Sequence, residues 1–149
     1  MNCELCTAHH PREIWRDDLV YVIDASNEAL PCFIRVISTQ HKAEMTDLSE
    51  DERAYIFRIL MLIEKNMREI VCPDKINLAS LGNMVPHVHW HIISRWKDDA
   101  FFPDSIWSAK HQEMPLEHFK HRKSAAERLL KILPKQLDAL RNNQTASAC

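Results

Sequence analysis

His87-Val88-His89-Trp90-His91-Ile92-Ile93 alternates polar and apolar residues over its first six positions, the pattern of a strand that shows one face to a core and one to a site. Successive strand side chains point to opposite faces, so the three imidazoles share one face, with neighbours roughly 6–7 Å apart. Val88, Trp90 and Ile92 then face the core. With nine histidines in 149 residues, chance yields an H-x-H-x-H about 0.03 times per chain. Histidine serves near neutral pH as nucleophile, acid, base or metal ligand. On residue chemistry alone, the row suits a tri-histidine zinc site and phosphoryl transfer equally well.

Outward from the row, the next feature is the chain's one glycine, Gly82, five residues upstream. Gly82-Asn83 reads as a turn that a side chain at 82 would obstruct, or as a close approach of backbone to a ligand. Lys75–Leu81 (KINLASL) reads as the strand leading into it, and roughly Val88–Arg95 as the histidine strand. Leu19–Ala25 (LVYVIDA) and Cys32–Ser38 (CFIRVIS) read as two further antiparallel strands. Ser49 and Glu52 form a capping box opening a helix from about Glu50 to Val71, which Pro73 stops. Ile56, Ile59, Leu60, Ile63, Met67, Ile70 and Val71 give it one apolar stripe. A second helix is expected from about Lys123 to Arg141, kinked or split at Pro134, with 142–149 a frayed tail. The reading is a single α+β domain with a mostly antiparallel sheet, one long helix and a C-terminal helix. Its body runs over 1–110, with a helical extension and tail over 111–149.

Composition agrees with a globular protein: 46% hydrophobic, 27% charged, formal net charge −2. That charge balance gives no footprint for nucleic acid or an anionic membrane surface. No apolar run approaches the ~20 residues of a membrane span, and the N-terminus carries no secretory pattern. Cys3, Cys6, Cys32, Cys72 and Cys149 are odd in number and scattered, which fits a reduced, cytoplasmic setting. Cys3-Glu4-Leu5-Cys6 is a CxxC, which alone reads as half a zinc site, a redox motif or coincidence.

At the histidine row the sequence resembles the histidine triad (HIT) family of nucleotide hydrolases and transferases. The family motif is His-φ-His-φ-His-φ-φ, with φ apolar, and HVHWHII matches it in full. The likeness covers roughly Cys3 to Trp96: an early CxxC, a strand with Asp, a strand ending near His41, the capped helix, an Asn-bearing strand and the triad come in the family's order. INLASLGNMVPHVHWHIISRW, with Phe101–Trp107 after it, is similar to a short bacterial branch described as diadenosine tetraphosphate hydrolases.

The resemblance implies a HIT-like fold, a homodimer and cleavage at the α-phosphorus of an adenine nucleotide derivative, either a dinucleoside polyphosphate or a phosphoramidate. It makes His89 the nucleophile, forming a nucleotidyl-histidine that water then opens. His91 would contact the phosphate; His87 would support the nucleophile or ligate metal. Asn83 and Asn77 would bind near the phosphate and ribose, and Asp24 would accept from ribose hydroxyls. No metal cofactor is required for catalysis, while a structural zinc on Cys3, Cys6, His41 and His87 is implied. Pro31-Cys32-Phe33 and Ser38-Thr39-Gln40-His41 stand where many members have Gly-His and Pro-Lys-x-His, so the leaving-group side of the pocket is expected to differ. The alternatives are nucleotidyl transfer to an acceptor other than water, a nucleotide-binding regulator with incidental turnover, and a zinc-binding module.

Overall fold

In the computed structural model, which describes residues 3–147, five strands and two helices form one α+β unit. The strands are β1 (Glu13–Arg16), β2 (Val20–Asp24), β3 (Phe33–Ser38), β4 (Lys75–Ala79) and β5 (His89–Arg95). They make one antiparallel sheet in the order β1-β2-β3-β5-β4. The helices are α1 (Glu50–Ile70) and α2 (Leu116–Ser147), and a short 3-10 turn at Met45–Asp47 precedes α1.

The capping box forms as the sequence specifies. Ser49 Oγ accepts from the Glu52 backbone N–H at 3.2 Å, and Glu52 Oε2 accepts from the Ser49 N–H at 2.7 Å. Two orphan donors of the first turn are thereby satisfied. The stripe Ile56, Ile59, Leu60, Ile63 and Met67 is fully buried. It packs against the sheet face formed by Val20, Val22, Ile34, Val36, Ile76 and Ile92.

The C-terminal helix differs from its expected bounds at both ends. It starts at Leu116 and runs unbroken through Pro134. The polar first turns carry no apolar stripe; Asp98 anchors them instead, through His118 Nδ1 at 2.6 Å and Arg122 Nη1 at 2.7 Å. At Pro134 one backbone hydrogen bond is lost. Leu129, Leu133 and Leu137, on both sides of it, are wholly buried in the same core as α1, and Asn66 Nδ2 donates to Gln136 Oε1 at 2.6 Å. These contacts carry the helix through the proline without a break, and they make α2 part of the main core. The expected frayed tail is helical through Ser147; residues 148 and 149 lie outside the described residues.

Strand β1 was not legible in the sequence. It is four residues long, and a bulge between Glu13 and Trp15 breaks its alternation. Trp15 is buried, and its indole N–H donates to Asp138 of α2 at 2.9 Å.

The opposite sheet face carries Tyr21, Ile23, Phe33, Arg35, Ile37, His89, His91 and Ile93, as the strand registers require. No helix covers it. The N-terminal segment covers one end, where Leu5 packs on Tyr21, Ile23 and Ile37 and the Tyr21 hydroxyl donates to the Leu5 carbonyl at 2.7 Å. The loop after β5 covers the other end, where Ala100 and Phe101 pack on Leu30, Phe33 and Ile93. Between these two covers the middle of the face stays open, and the histidines lie there.

Candidate active site

Strand β5 divides its residues as the alternation predicts. Trp90 and Ile92 face the helix core, and His89 and His91 face the open side. His87 precedes the strand proper, because Val88 bonds instead to Lys42 and Ser38 through its backbone N–H and C=O. The His89 and His91 rings meet edge to face with centroids 5.0 Å apart, closer than strand spacing alone gives.

His89 Nδ1 lies 2.6 Å from the backbone carbonyl of His87. A carbonyl only accepts, so Nδ1 carries the proton and Nε2 keeps its lone pair. Ser80 Oγ fixes the same residue from the other side, donating to the His89 carbonyl at 2.8 Å. The side chain lines a cavity of about 520 Å³ together with His91, Asn83, Gly82, Arg35 and Trp107.

His91 is 3% exposed, and its Nδ1 has no partner. Burial first, then the charge of Arg35 and the neighbouring His89, push its pKa down to about 3. It is therefore neutral near pH 7. Between about pH 6.5 and 3 the unfolded chain takes up a proton here that the native state refuses, so stability rises with pH across that window and falls on acidification, by up to about 1.4 kcal/mol per pH unit. In an NMR titration the His91 ring signals are expected to stay fixed from pH 8 to 4; a shift centred near 6.5 would contradict this environment.

His87 does not line that cavity. Its Nε2–H donates to the Ser38 carbonyl at 2.7 Å, which leaves Nδ1 with a lone pair. That Nδ1 lies 3.4 Å from Cys3 Sγ and 3.5 Å from Cys6 Sγ, and His41 Nδ1 lies 3.3 Å from Cys6 Sγ. All four donor atoms fall within 4.8 Å of one another. A tetrahedral zinc with two thiolates and two imidazoles has edges of roughly 3.5 Å, so the four donors fit the ion. Burial, and then Cys3 beside it, raise the Cys6 thiol pKa. A bound cation would reverse that shift. The Cys/His cluster can thus hold a zinc ion. His9 and His10, which follow the CxxC closely in sequence and were the other histidines able to complete such a site, are not part of it.

Of the residues expected to bind substrate, the structure brings Asn83 to the triad cavity. Asn77 is on the same sheet face but engaged elsewhere, its Oδ1 accepting from Arg95 Nη1 at 2.8 Å. Asp24 pairs with Arg12 at 2.9 Å and lines a separate cavity of about 320 Å³ beside α2. Gly82 has φ +75°, while a Cβ there would meet only ordinary contacts, the Val85 carbonyl at 3.5 Å being nearest. Its backbone angle, not a close approach, requires glycine. Cys32, at the departure from the Gly-His pattern, is buried on the helix side, and burial pushes its thiol up to about 12.

Two features, Arg35 and Asp99, went unread in the sequence, and Trp107 was read only as an aromatic of the Phe101–Trp107 segment that could stack on a base or pack. Arg35 sits directly across from His91 on β3; the signal was a lone cation in the apolar run FIRVIS. Trp107 lies edge-on to His91, with centroids 5.0 Å apart. Asp99, wholly buried, accepts from the Arg95 guanidinium and from the backbone N–H groups of Trp96, Phe101 and Phe102. It is the hub that shapes the loop bearing Trp107.

Among solved structures, the chain is similar to a histidine triad protein from Bradyrhizobium japonicum, with 25% identity, a TM-score of 0.64, and coverage of 83% of this chain and 97% of that one. A histidine triad protein from Marinobacter aquaeolei VT8 shares the fold at 23% identity and a TM-score of 0.64, covering 81% of this chain and 89% of that one. So does a zinc-bound histidine triad family protein from Mycobacterium smegmatis, at 18% identity and 0.55, covering 86% and 95%. The HIT domain family matches residues 10–98, which hold β1 to β5, α1 and the whole triad. With the antiparallel sheet and the His89 geometry alongside that match, the chain belongs to the HIT domain family.

Proposed function

We propose that this protein is a nucleotide hydrolase that cleaves at the α-phosphorus of adenine nucleotide derivatives, in the manner of the diadenosine tetraphosphate hydrolase branch or of nucleoside phosphoramidases. The observation that carries the reading is the His89 ring, with Nδ1 tied to the His87 carbonyl and its other nitrogen available on a cavity wall. The Nε2 lone pair forms a P–N bond, and the bond from phosphorus to the leaving group breaks with its electron pair. Water then attacks the same phosphorus, the P–N bond breaks, and the nucleoside monophosphate leaves. Neutral His91 and the amide of Asn83 are in place to donate to phosphoryl oxygens. A second cavity of about 510 Å³, lined by Leu30, Phe33, Phe101, Ile106 and Trp107, adjoins the first and suits the base and sugar.

The test is AMP release from diadenosine tetraphosphate and, separately, from adenosine 5′-phosphoramidate. The faster substrate names the bond class. No release from either sinks the reading.

The reading includes a structural zinc on Cys3, Cys6, His41 and His87, which would tie the N-terminal segment to the sheet. Metal analysis is expected to find one zinc per chain. A strong chelator is then expected to lower Tm by on the order of 5 °C. An equal Tm with and without chelator would remove the structural role.

It also includes a homodimer. Phe57 and Met61 are 45% and 47% exposed on α1, and Phe57 stands edge-on to Trp90 at 5.5 Å, an apolar strip suited to a second copy. Light scattering after size exclusion is expected to give twice the 17.5 kDa chain mass, and a single-chain mass would refute it.

A further inference from the structure

Arg35 is a cation with no counter-ion among the described residues. It stands on β3 opposite His91, on the open sheet face. Its Nε is buried and without a partner, as is His91 Nδ1 beside it. No carboxylate of the described residues lies in ion-pair contact with it. Glu4, which acts on it through space and lines the same cavity, is not within ion-pair distance. Burial is costly for a charge, and a fold ordinarily meets that cost with a partner. The guanidinium instead lies near the Phe33 ring, 5.2 Å from its centroid.

Two placements narrow down what the missing partner is. Arg35 is the one cationic side chain among the described residues lining the triad cavity, where His91 is neutral. Arg35 and Trp107 are the two residues that line both that cavity and the adjoining one, whose wall is aromatic and aliphatic with Glu28 and Lys110 at it. A nucleoside 5′-phosphate bound across both has its phosphate at this junction.

We propose that Arg35 is a catalytic residue that clamps non-bridging oxygens of the α-phosphate and restricts this site to ligands carrying an anionic phosphate on the nucleoside. The inference rests on the proposed nucleotide chemistry and adds to it the group that receives the phosphate charge. As the phosphorus passes through five-coordination, charge gathers on those oxygens. A planar fork of donors held on a strand meets it without reorganising.

Calorimetric titrations with AMP and with adenosine test this in wild type, Arg35→Met and Arg35→Lys. Methionine keeps the stem on Phe33 and loses the charge; thermal melts check that each variant folds. Wild type is expected to bind AMP far more tightly than adenosine. Arg35→Met is expected to lose between about tenfold and a hundredfold in AMP affinity with adenosine unchanged, and Arg35→Lys to recover part of it. Undiminished AMP binding by Arg35→Met overturns the proposal, and so does an equal loss for adenosine. If wild type binds neither ligand, the nucleotide reading has failed. Inorganic phosphate, followed through the His91 ring signals, then decides the rest. A shift present in wild type and absent in Arg35→Met keeps Arg35 as an anion site, and its absence from both removes that role too.

Discussion

His89→Ala is expected to abolish AMP release, by at least about a thousandfold in kcat, while leaving the fold intact. Alanine removes the one lone pair that the His87 carbonyl leaves directed for attack. Nothing nearby replaces it. The imidazole of His91 has an unpartnered Nδ1 buried in the sheet face, with no acceptor to set its tautomer. Stability should change little, because His89 lines a cavity and contributes no side chain to the helix-side core. The checks are steady-state AMP release and a melting curve, together with mass analysis of the rapidly quenched reaction. Wild type should carry a nucleotidyl group on the peptide containing His89. A variant that still turns over at more than a hundredth of the wild-type rate would place the nucleophile elsewhere.

Asp99→Ala is expected to cost about 3–5 kcal/mol of stability, the range for removing one partner of a buried ion pair. Arg95 and Asp99 are 2% and 0% exposed and meet at 2.8 Å. Burial alone would raise the Asp99 pKa. The Arg95 hydrogen bonds outweigh it, and with the Phe101 and Trp96 backbone donors they hold the carboxyl below its usual range. Since its native pKa is depressed, this contribution is present above the unfolded value near 4 and is lost as pH falls through the native one. The substitution leaves a buried guanidinium with only the neutral acceptors Asn77 Oδ1 and the Asp104 carbonyl, and it strands three backbone donors. The loop carrying Trp107 should then loosen, so KM is expected to rise more than kcat falls. Urea unfolding gives the first number, and substrate saturation curves give the second. A loss under 1 kcal/mol would show that the loop does not depend on this carboxylate.

The features that proved legible were those written in local pattern. Alternation around Trp90 gave the β5 faces, and the Ser49–Glu52 spacing gave the start of α1. What failed to show was held by partners distant in sequence. The first turns of α2 depend on Asp98, about twenty residues upstream, and its passage through Pro134 depends on Asn66 of α1. Strand β1 exists by pairing with β2, its own four residues being too few to signal it. At the site, the triad could be read because its spacing is its chemistry. Arg35 could not, since what distinguishes it is the lack of a counter-ion in three dimensions. Asn77 and Asp24 were assigned by position in the chain, and their hydrogen bonds to Arg95 and Arg12 could not be read from it.

His87 belongs to two neighbourhoods by different halves of its structure. The ring faces Cys3, Cys6 and His41, and the main-chain oxygen holds the His89 proton. Every amino acid possesses that oxygen. The contact that orients the His89 ring is therefore indifferent to the letter written at position 87, so long as the strand entrance keeps its path. A substitution at 87 can remove the sulfur-and-imidazole cluster and still leave the His89 proton its acceptor.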